Sequence, residues 1–113
     1  MLPSNNNVVS VFNEKLDYKN SEKYLDGYKL EVNNNYLVPS LLDGVISYIG
    51  EKEDIGNVIV VEQTDGVTVT YGYLKNNNVK LYDHIEKGSL IGETKDNYLY
   101  LSFLKDKDYL DIK

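Results

Sequence analysis

The feature that most constrains the fold of this chain is an alternation of apolar and polar residues with a period of two. Tyr28, Leu30 and Val32 alternate with polar neighbours, and a second such series runs from Val67 to Tyr71. Residues two apart lie on the same face of a strand, so this period predicts half-buried β-strands rather than helices. We therefore expect an all-β fold, an antiparallel sandwich or barrel-like sheet.

Turn-forming residues divide the chain into short segments. Asp65-Gly66 predicts a tight hairpin turn, because Gly tolerates positive φ. Residues 76–78, all Asn, predict a loop, and residues 21–26 predict one helical turn that ends at Gly27. Residues 57–63 read as a strand buried on both faces. The complete set of predicted strands is 8–12, 28–32, 45–49, 57–63, 67–71, 79–85, 89–93 and 98–103.

The length and the start of the chain bear on its domain organisation. A chain of 113 residues is long enough for one compact domain. We divide it into an N-terminal extension with one short strand, residues 1–20, and a β domain, residues 21–113. Met1-Leu2-Pro3-Ser4 does not resemble a natural beginning, so we expect an excised domain of a longer chain with an upstream hydrophobic segment.

Charge and cysteine content exclude several function classes. The chain has 18 acidic and 12 basic residues, a net charge of −6, and no basic cluster that would displace counterions from phosphates. We therefore expect no nucleic-acid partner. The absence of Cys excludes a disulfide framework, a thiolate metal site and a cysteine nucleophile.

The residues alone indicate no active site. His84 is the single histidine, and its neighbour Asp83 would point to the opposite face of a strand. A zinc site needs three or four converging ligands, so a solvated turn histidine is the simpler interpretation. The carboxylates Glu51, Glu53 and Asp54 are interpreted in the same way, as part of a solvated face. No serine lies in a Gly-x-Ser-x-Gly elbow.

From residue 24 to the C-terminus, the order of β segments resembles the zinc peptidase family M23, the LytM type. Residues 38–46 resemble a stretch that precedes the family's Gly-x-Val strand, and residues 56–61 resemble its Gly-Asn-x-Val-x-Ile strand. Residues 71–74 resemble a hairpin end that reads Tyr-x-His-Leu in active members, and residues 98–101 take the place of His-Leu-His-Phe. The resemblance implies the family's antiparallel β core, with a duplicated-hybrid-motif-like topology.

The same resemblance implies that the metal site is degenerate. Active relatives bind zinc through the His and Asp of His-x-Gly-x-Asp and through the second His of His-x-His. Aligning the shared glycine puts Leu25 and Lys29 at the first two ligand positions, and Tyr100 falls at the third. The two further catalytic histidines correspond to Tyr73 and Tyr98. A lysine would place a cation where Zn²⁺ needs an anion, and tyrosine, with a pKa of about 10, is a poor base.

The resemblance therefore implies a domain without catalysis, metal or other cofactor. Its groove, lined by Leu25, Lys29, Tyr73, Tyr98 and Tyr100, is a candidate surface for binding a partner. The plainer alternative is that these tyrosines only pack across neighbouring strands. Degenerate domains of this family occur in sporulation proteins of endospore-forming bacteria, such as those of the stage IV FA and stage II Q types.

We expect an extracytoplasmic protein-interaction or regulatory domain of a membrane-anchored sporulation or cell-envelope protein, sited in the space between mother cell and forespore if the process is sporulation. Its partner would be another extracytoplasmic or membrane-bound protein, and its membrane contact would be made by an anchor outside this chain. Three alternatives stay open: a non-cleaving peptidoglycan-binding module, an enzyme that uses the carboxylates, and a biotinyl/lipoyl-like carrier domain.

Overall fold

The computed structural model describes residues 16–63, 66–105 and 108–109, and these residues form an antiparallel β-sheet of ten strands. The strands are β1 (Asn20–Tyr24), β2 (Gly27–Glu31), β3 (Leu37–Pro39), β4 (Gly44–Lys52), β5 (Gly56–Glu62), β6 (Val67–Asn77), β7 (His84–Ile85), β8 (Leu90–Thr94), β9 (Tyr98–Lys105) and β10 (Asp108–Tyr109). The predicted all-β, antiparallel fold is confirmed. The predicted strand at residues 8–12 lies outside the described residues.

The main path through the sheet runs β1-β2-β9-β6-β5-β4-β7, with β10 on β9 and β3 on β8. Strand β6 is central because it has three neighbours. Its first part pairs with β5 and β9, and its last residues pair with β8. Strands β2, β9, β6 and β5 are therefore consecutive neighbours in the sheet.

The core follows from the period of two. Val67, Val69 and Tyr71 of β6 are fully buried, and the alternate residues Thr68 and Thr70 are half-buried. Tyr71 also fixes the segment after β3, because its hydroxyl accepts a hydrogen bond of 3.0 Å from the Leu41 amide. The strand predicted at 57–63 corresponds to β5, whose buried members are Val58, Ile59 and Val61.

The helical turn predicted at residues 21–26 is wrong. These residues form β1 and a two-residue turn, Leu25-Asp26, because Tyr24 pairs with Gly27 and the ladder continues to Asn20 opposite Glu31. An isolated helical turn has a costly nucleus, whereas pairing with β2 satisfies the backbone along the whole segment. Leu25 has a φ of 53°, in the left-handed region that such tight turns require.

Two further boundaries differ from the prediction. Of residues 79–85, only His84–Ile85 form a strand, because Asp83 closes a turn before it. Its backbone amide donates to the Lys80 carbonyl at 3.0 Å, and its carboxylate accepts from the Lys80 amide at 2.8 Å. Asn76 and Asn77 belong to β6 rather than to a loop, since they pair with Glu93 and Gly92 of β8.

No helix within the described residues is long and apolar enough to cross a membrane.

Candidate functional site

Neighbouring strands bring the predicted groove residues into register. Lys29 of β2 pairs with Tyr100 of β9, and Tyr100 pairs on its other side with Gly72 of β6. Tyr98 lies two residues before Tyr100 in β9, and Tyr73 follows Gly72. These four residues, which the resemblance aligns with functional positions of the family, are thus neighbours across β2, β9 and β6.

Two glycines make room for the Tyr100 side chain. A Cβ at Gly72 would lie 3.0 Å from Tyr100 Cβ and 3.1 Å from the Ile55 carbonyl oxygen. A Cβ at Gly27 would lie 2.8 Å from Tyr100 Oη and would overlap the carbonyl oxygen of Leu101. Tyr100 is consequently buried, with 4% of its surface exposed.

A bulge in β6 sets the backbone of Tyr73. Tyr73 and Gly72 together stand opposite the single residue Val58 of β5, and Tyr73 has a φ of 64°. This left-handed conformation is unfavourable for a side chain with a Cβ and persists only where the surroundings hold it. Here the Tyr73 amide donates to the Ile55 carbonyl at 2.6 Å, and the Tyr73 carbonyl accepts from the Lys95 amide at 2.9 Å.

Three tyrosine rings lie around the Lys29 ammonium, and a fourth tyrosine packs against two of them. Lys29 Nζ lies 4.4 Å from the ring centroid of Tyr98 and 5.7 Å from the centroids of Tyr24 and Tyr73. Tyr100 meets Tyr24 and Tyr73 edge to face, with centroids 6.3 and 6.5 Å apart. These distances are those of cation–π and edge-to-face aromatic contacts. We call these five residues the tyrosine–lysine cluster.

Burial disfavours ionisation of two tyrosines of the cluster, Tyr73 and Tyr100. Burial raises the pKa of Tyr73 to about 12, and a hydrogen bond with Tyr24 and the charge of Asp54 act in the same direction. Burial also raises the pKa of Tyr100, against the opposing effect of a hydrogen bond with Ser102. Tyr73 and Tyr100 are therefore neutral near neutral pH.

The cluster forms one side of a groove of about 350 Å³. Lys29, Tyr73 and Tyr98 lie on its lining. The rest of the lining is largely charged and contains the carboxylates that sequence analysis assigned to a solvated face. Those carboxylates are exposed, but they border the groove. The charged residues of the remaining lining are Glu51, Glu53, Asp54, Lys95 and Asp96.

Tyr24 is the cluster residue that the sequence prediction missed. It contacts both Lys29 and Tyr100, whereas Leu25 lies in the β1–β2 turn with 51% of its surface exposed. Tyr24 lies opposite Gly27 in the β1–β2 hairpin. The prediction of a helical turn at residues 21–26 excluded this hairpin, and Tyr24 was missed with it. The structure thus brings Lys29, Tyr73, Tyr98 and Tyr100 together and leaves Leu25 at the turn.

The fold and a family model together define the class of this protein. A model described as Peptidase family M23 matches residues 23–111, so the chain belongs to Peptidase family M23. A particular relative is stage IV sporulation protein FA of Bacillus subtilis (strain 168), 29% identical over 87 residues. The match covers 74% of this chain and 33% of the relative, so this chain spans about a third of that protein's length.

Solved structures share the fold. The antimicrobial peptidase lysostaphin from Staphylococcus simulans matches with a TM-score of 0.69 at 20% identity, over 84% of this chain and 45% of lysostaphin. Csd3 from Helicobacter pylori matches with a TM-score of 0.73 at 18% identity, over 88% of this chain and 32% of Csd3. These likenesses establish the M23-type β core.

The side chains of the cluster do not fit the zinc ion that peptidases of this family carry. Zinc in proteins is held by Cys, His, Asp and Glu, whereas the cluster offers phenols and an ammonium. Across residues 16–63, 66–105 and 108–109, no group of three or more such ligands converges. His84 is exposed in β7, which is at the opposite end of the strand order from β1 and β2.

Proposed function

We propose that this domain is non-catalytic and binds another protein through the groove lined by Lys29, Tyr73 and Tyr98 of the tyrosine–lysine cluster. The observation that carries the proposal is the position of the Lys29 ammonium, 4.4 to 5.7 Å from three tyrosine rings. Its alignment with the family's aspartate ligand means that a positive charge replaces a negative one there. A zinc-bound hydroxide is the nucleophile that this family's chemistry requires, and a fixed ammonium opposes a divalent cation.

The composition of the groove supports recognition of a protein. Tyrosine gives a large contact area with few rotatable bonds and a polar tip, which is why it is enriched at binding surfaces. Tyr98 has 36% of its surface exposed at the groove, so a partner reaches it without rearrangement of the sheet. The net charge of −6 and the carboxylates of the lining disfavour nucleic acid.

The relative in Bacillus subtilis is a sporulation protein, which supports a role in sporulation or the cell envelope. In this proposal the domain is extracytoplasmic, and a segment of the parent protein outside this chain anchors it to the membrane. The partner is another extracytoplasmic or membrane-bound protein, which the domain binds or regulates.

A non-cleaving peptidoglycan-binding module is the second candidate. The observation that favours it is the same exposed Tyr98, beside lining groups of both charge signs. Peptidoglycan contains charged peptides, which such a lining would suit. Sedimentation with purified peptidoglycan separates the two candidates, because the protein-binding domain stays in the supernatant and the peptidoglycan-binding module sediments.

The test of the proposal is a hydrolysis assay on peptidoglycan and glycine-rich peptides, with added zinc and with a chelator. We expect no cleavage in either condition. Cleavage that the chelator abolishes would overturn the proposal in favour of an M23 peptidase, and cleavage that the chelator leaves unchanged would indicate an enzyme that uses the carboxylates. Lysostaphin, an antimicrobial peptidase of the same fold, serves as the positive control.

A further inference from the structure

Lys29 has no oxygen acceptor among the described residues, although its side chain is half-buried. Its contacts are with the faces of tyrosine rings, while an ammonium has three N–H donors. Lys75 shows what is missing, since its Nζ lies 3.2 Å from Glu93 Oε2 and 3.0 Å from Asn35 Oδ1. A carboxylate on Lys29 would supply the acceptor that the cluster lacks.

The carboxylate that stands opposite Lys29 in the β1–β2 ladder does not fill this role. Glu22 of β1 pairs with Lys29 of β2, yet the two side chains form no ion pair in the described structure. The Lys29 ammonium is directed to the rings of the cluster instead, on the lining of the groove. Tyr73 and Tyr98 lie on the same lining, and a phenolic hydroxyl can donate to the carboxylate that Lys29 binds.

Four of the five charged residues on the remaining lining are acidic, and the fifth, Lys95, is next to Asp96 in the sequence. Glu51, Glu53 and Asp54 border the groove, are exposed, and make no ion pair within the described part of the chain. A carboxylate ligand alone would meet their repulsion, whereas a ligand that also carries a cation would be attracted at both places. The groove therefore presents a half-buried positive group and an exposed negative border to one ligand.

From these contacts we infer that the groove binds an extended segment of a partner protein in which an acidic and a basic residue lie on the same face. The carboxylate binds Lys29, and the basic side chain lies against the carboxylates of the border. In an extended segment, residues two apart share a face, so Glu-x-Lys is the shortest sequence of this kind. This inference rests on the proposed function and names the chemistry that the same groove recognises.

The test is a titration of the ¹⁵N-labelled domain with four blocked peptides that share one scaffold and contain Glu-x-Lys, Gln-x-Lys, Glu-x-Met or Gln-x-Met. We expect Glu-x-Lys to shift the amide signals of Tyr73 and Tyr98, to bind about tenfold more tightly than the two Gln peptides, and to bind a few-fold more tightly than Glu-x-Met, because a contact with half-buried Lys29 is worth more than one with exposed carboxylates. Equal affinities, shifts confined to other parts of the sheet, or no binding by any peptide would overturn the inference.

Matched variants assign the effect to Lys29. Lys29→Met should weaken Glu-x-Lys binding about tenfold. Lys52→Met is the control and should leave it unchanged, because Lys52 lies 5.7 Å from the Tyr48 ring centroid and outside the groove lining. Unchanged binding by folded Lys29→Met would overturn the inference.

A second variant keeps the inference testable if Lys29→Met fails to fold. Glu51→Gln combined with Glu53→Gln and Asp54→Asn changes exposed side chains only and should reduce the preference for Lys over Met in the peptide. An unchanged preference would overturn the inference. The hydrolysis assay reports on the proposed function separately, since a domain that binds none of these peptides and cleaves nothing contradicts the inference alone.

Discussion

Lys29 occupies the position where the family resemblance expects an aspartate ligand, and this exchange reverses the charge that the groove presents to an ion. The three rings within 5.7 Å stabilise the ammonium, each by about 0.5–1 kcal/mol at such partly exposed sites. Tyr100, which the resemblance aligns with another ligand position, packs edge to face with two of those rings. The residues that the resemblance aligns with functional positions are thus in contact with one another.

The sequence identified four of the cluster residues as candidate groove residues, because each falls at a fixed offset within a motif of the family. They are Lys29, Tyr73, Tyr98 and Tyr100. Tyr24 could not be predicted in the same way. Its neighbours Glu22 and Lys23 are charged and show no period of two, so nothing local marks a strand. Its contact with the cluster depends on pairing with β2, which is a property of the folded sheet.

The buried hydroxyl of Tyr71 gives a prediction about alkaline pH. Burial raises its pKa to about 12 from an unfolded value of 10.0. A folded pKa above the unfolded value stabilises the fold below pH 10 and loses that stabilisation as the pH rises from about 10 to 12. We expect the free energy of unfolding, measured by denaturant titration, to fall across this window, with Tyr73 contributing in the same direction.

Tyr71→Phe separates this effect from general alkaline denaturation. The variant should be about 1–3 kcal/mol less stable at neutral pH, because the Leu41 amide loses its acceptor. Its stability should then fall less steeply than that of the natural sequence above pH 10. Tyr82→Phe, on a side chain with 72% exposure, is the control. Parallel decreases in all three proteins would show that Tyr71 does not titrate as described.

At the scale of elements, the close pairing of β2 with β9 positions the cluster, and Gly27 permits it. A Cβ at Gly27 would overlap the Leu101 carbonyl oxygen and lie 2.7 Å from Ser102 Cβ. Gly27→Ala should therefore destabilise the domain by about 2–3 kcal/mol, since overpacking forces backbone shifts. Thermal and denaturant unfolding measure the loss.

The control for this prediction is Ser21→Ala on the exposed strand β1, which should change stability by less than about 0.5 kcal/mol. Gly27→Ala should also move the Lys29 and Tyr100 amide signals, because the same backbone approach sets their register. A variant as stable as Ser21→Ala would contradict the close approach of β2 and β9.

Strands with a clear period of two were predictable, and those set by tertiary pairing were not. Strands β2 and β6 overlap segments predicted from alternation, which marks a face that must be buried, and β5 overlaps the segment predicted from its apolar run. Strand β1 has mostly exposed side chains and no such mark. The predicted strand 79–85 shortened to β7 because Tyr82, with a φ of 71°, and the Asp83 turn interrupt the extended backbone.

At the scale of the whole molecule, the sequence predicted the fold class and the family through the order of its motifs, and both are confirmed. The division at residue 20 stays a prediction, as does the partner-binding role of the groove. The alternation that predicts the strands does not identify the partner or the process, because many functions share one β scaffold and depend on a few side chains of one groove.

A calorimetric zinc titration of the purified domain shows whether this M23-type fold binds the metal ion that peptidases of the family carry. We expect no stoichiometric binding near neutral pH, since Lys29 and the phenols of Tyr73, Tyr98 and Tyr100 provide no zinc ligand set. One zinc ion bound per chain, and still bound by the His84→Ala variant, would show that the domain keeps a metal site.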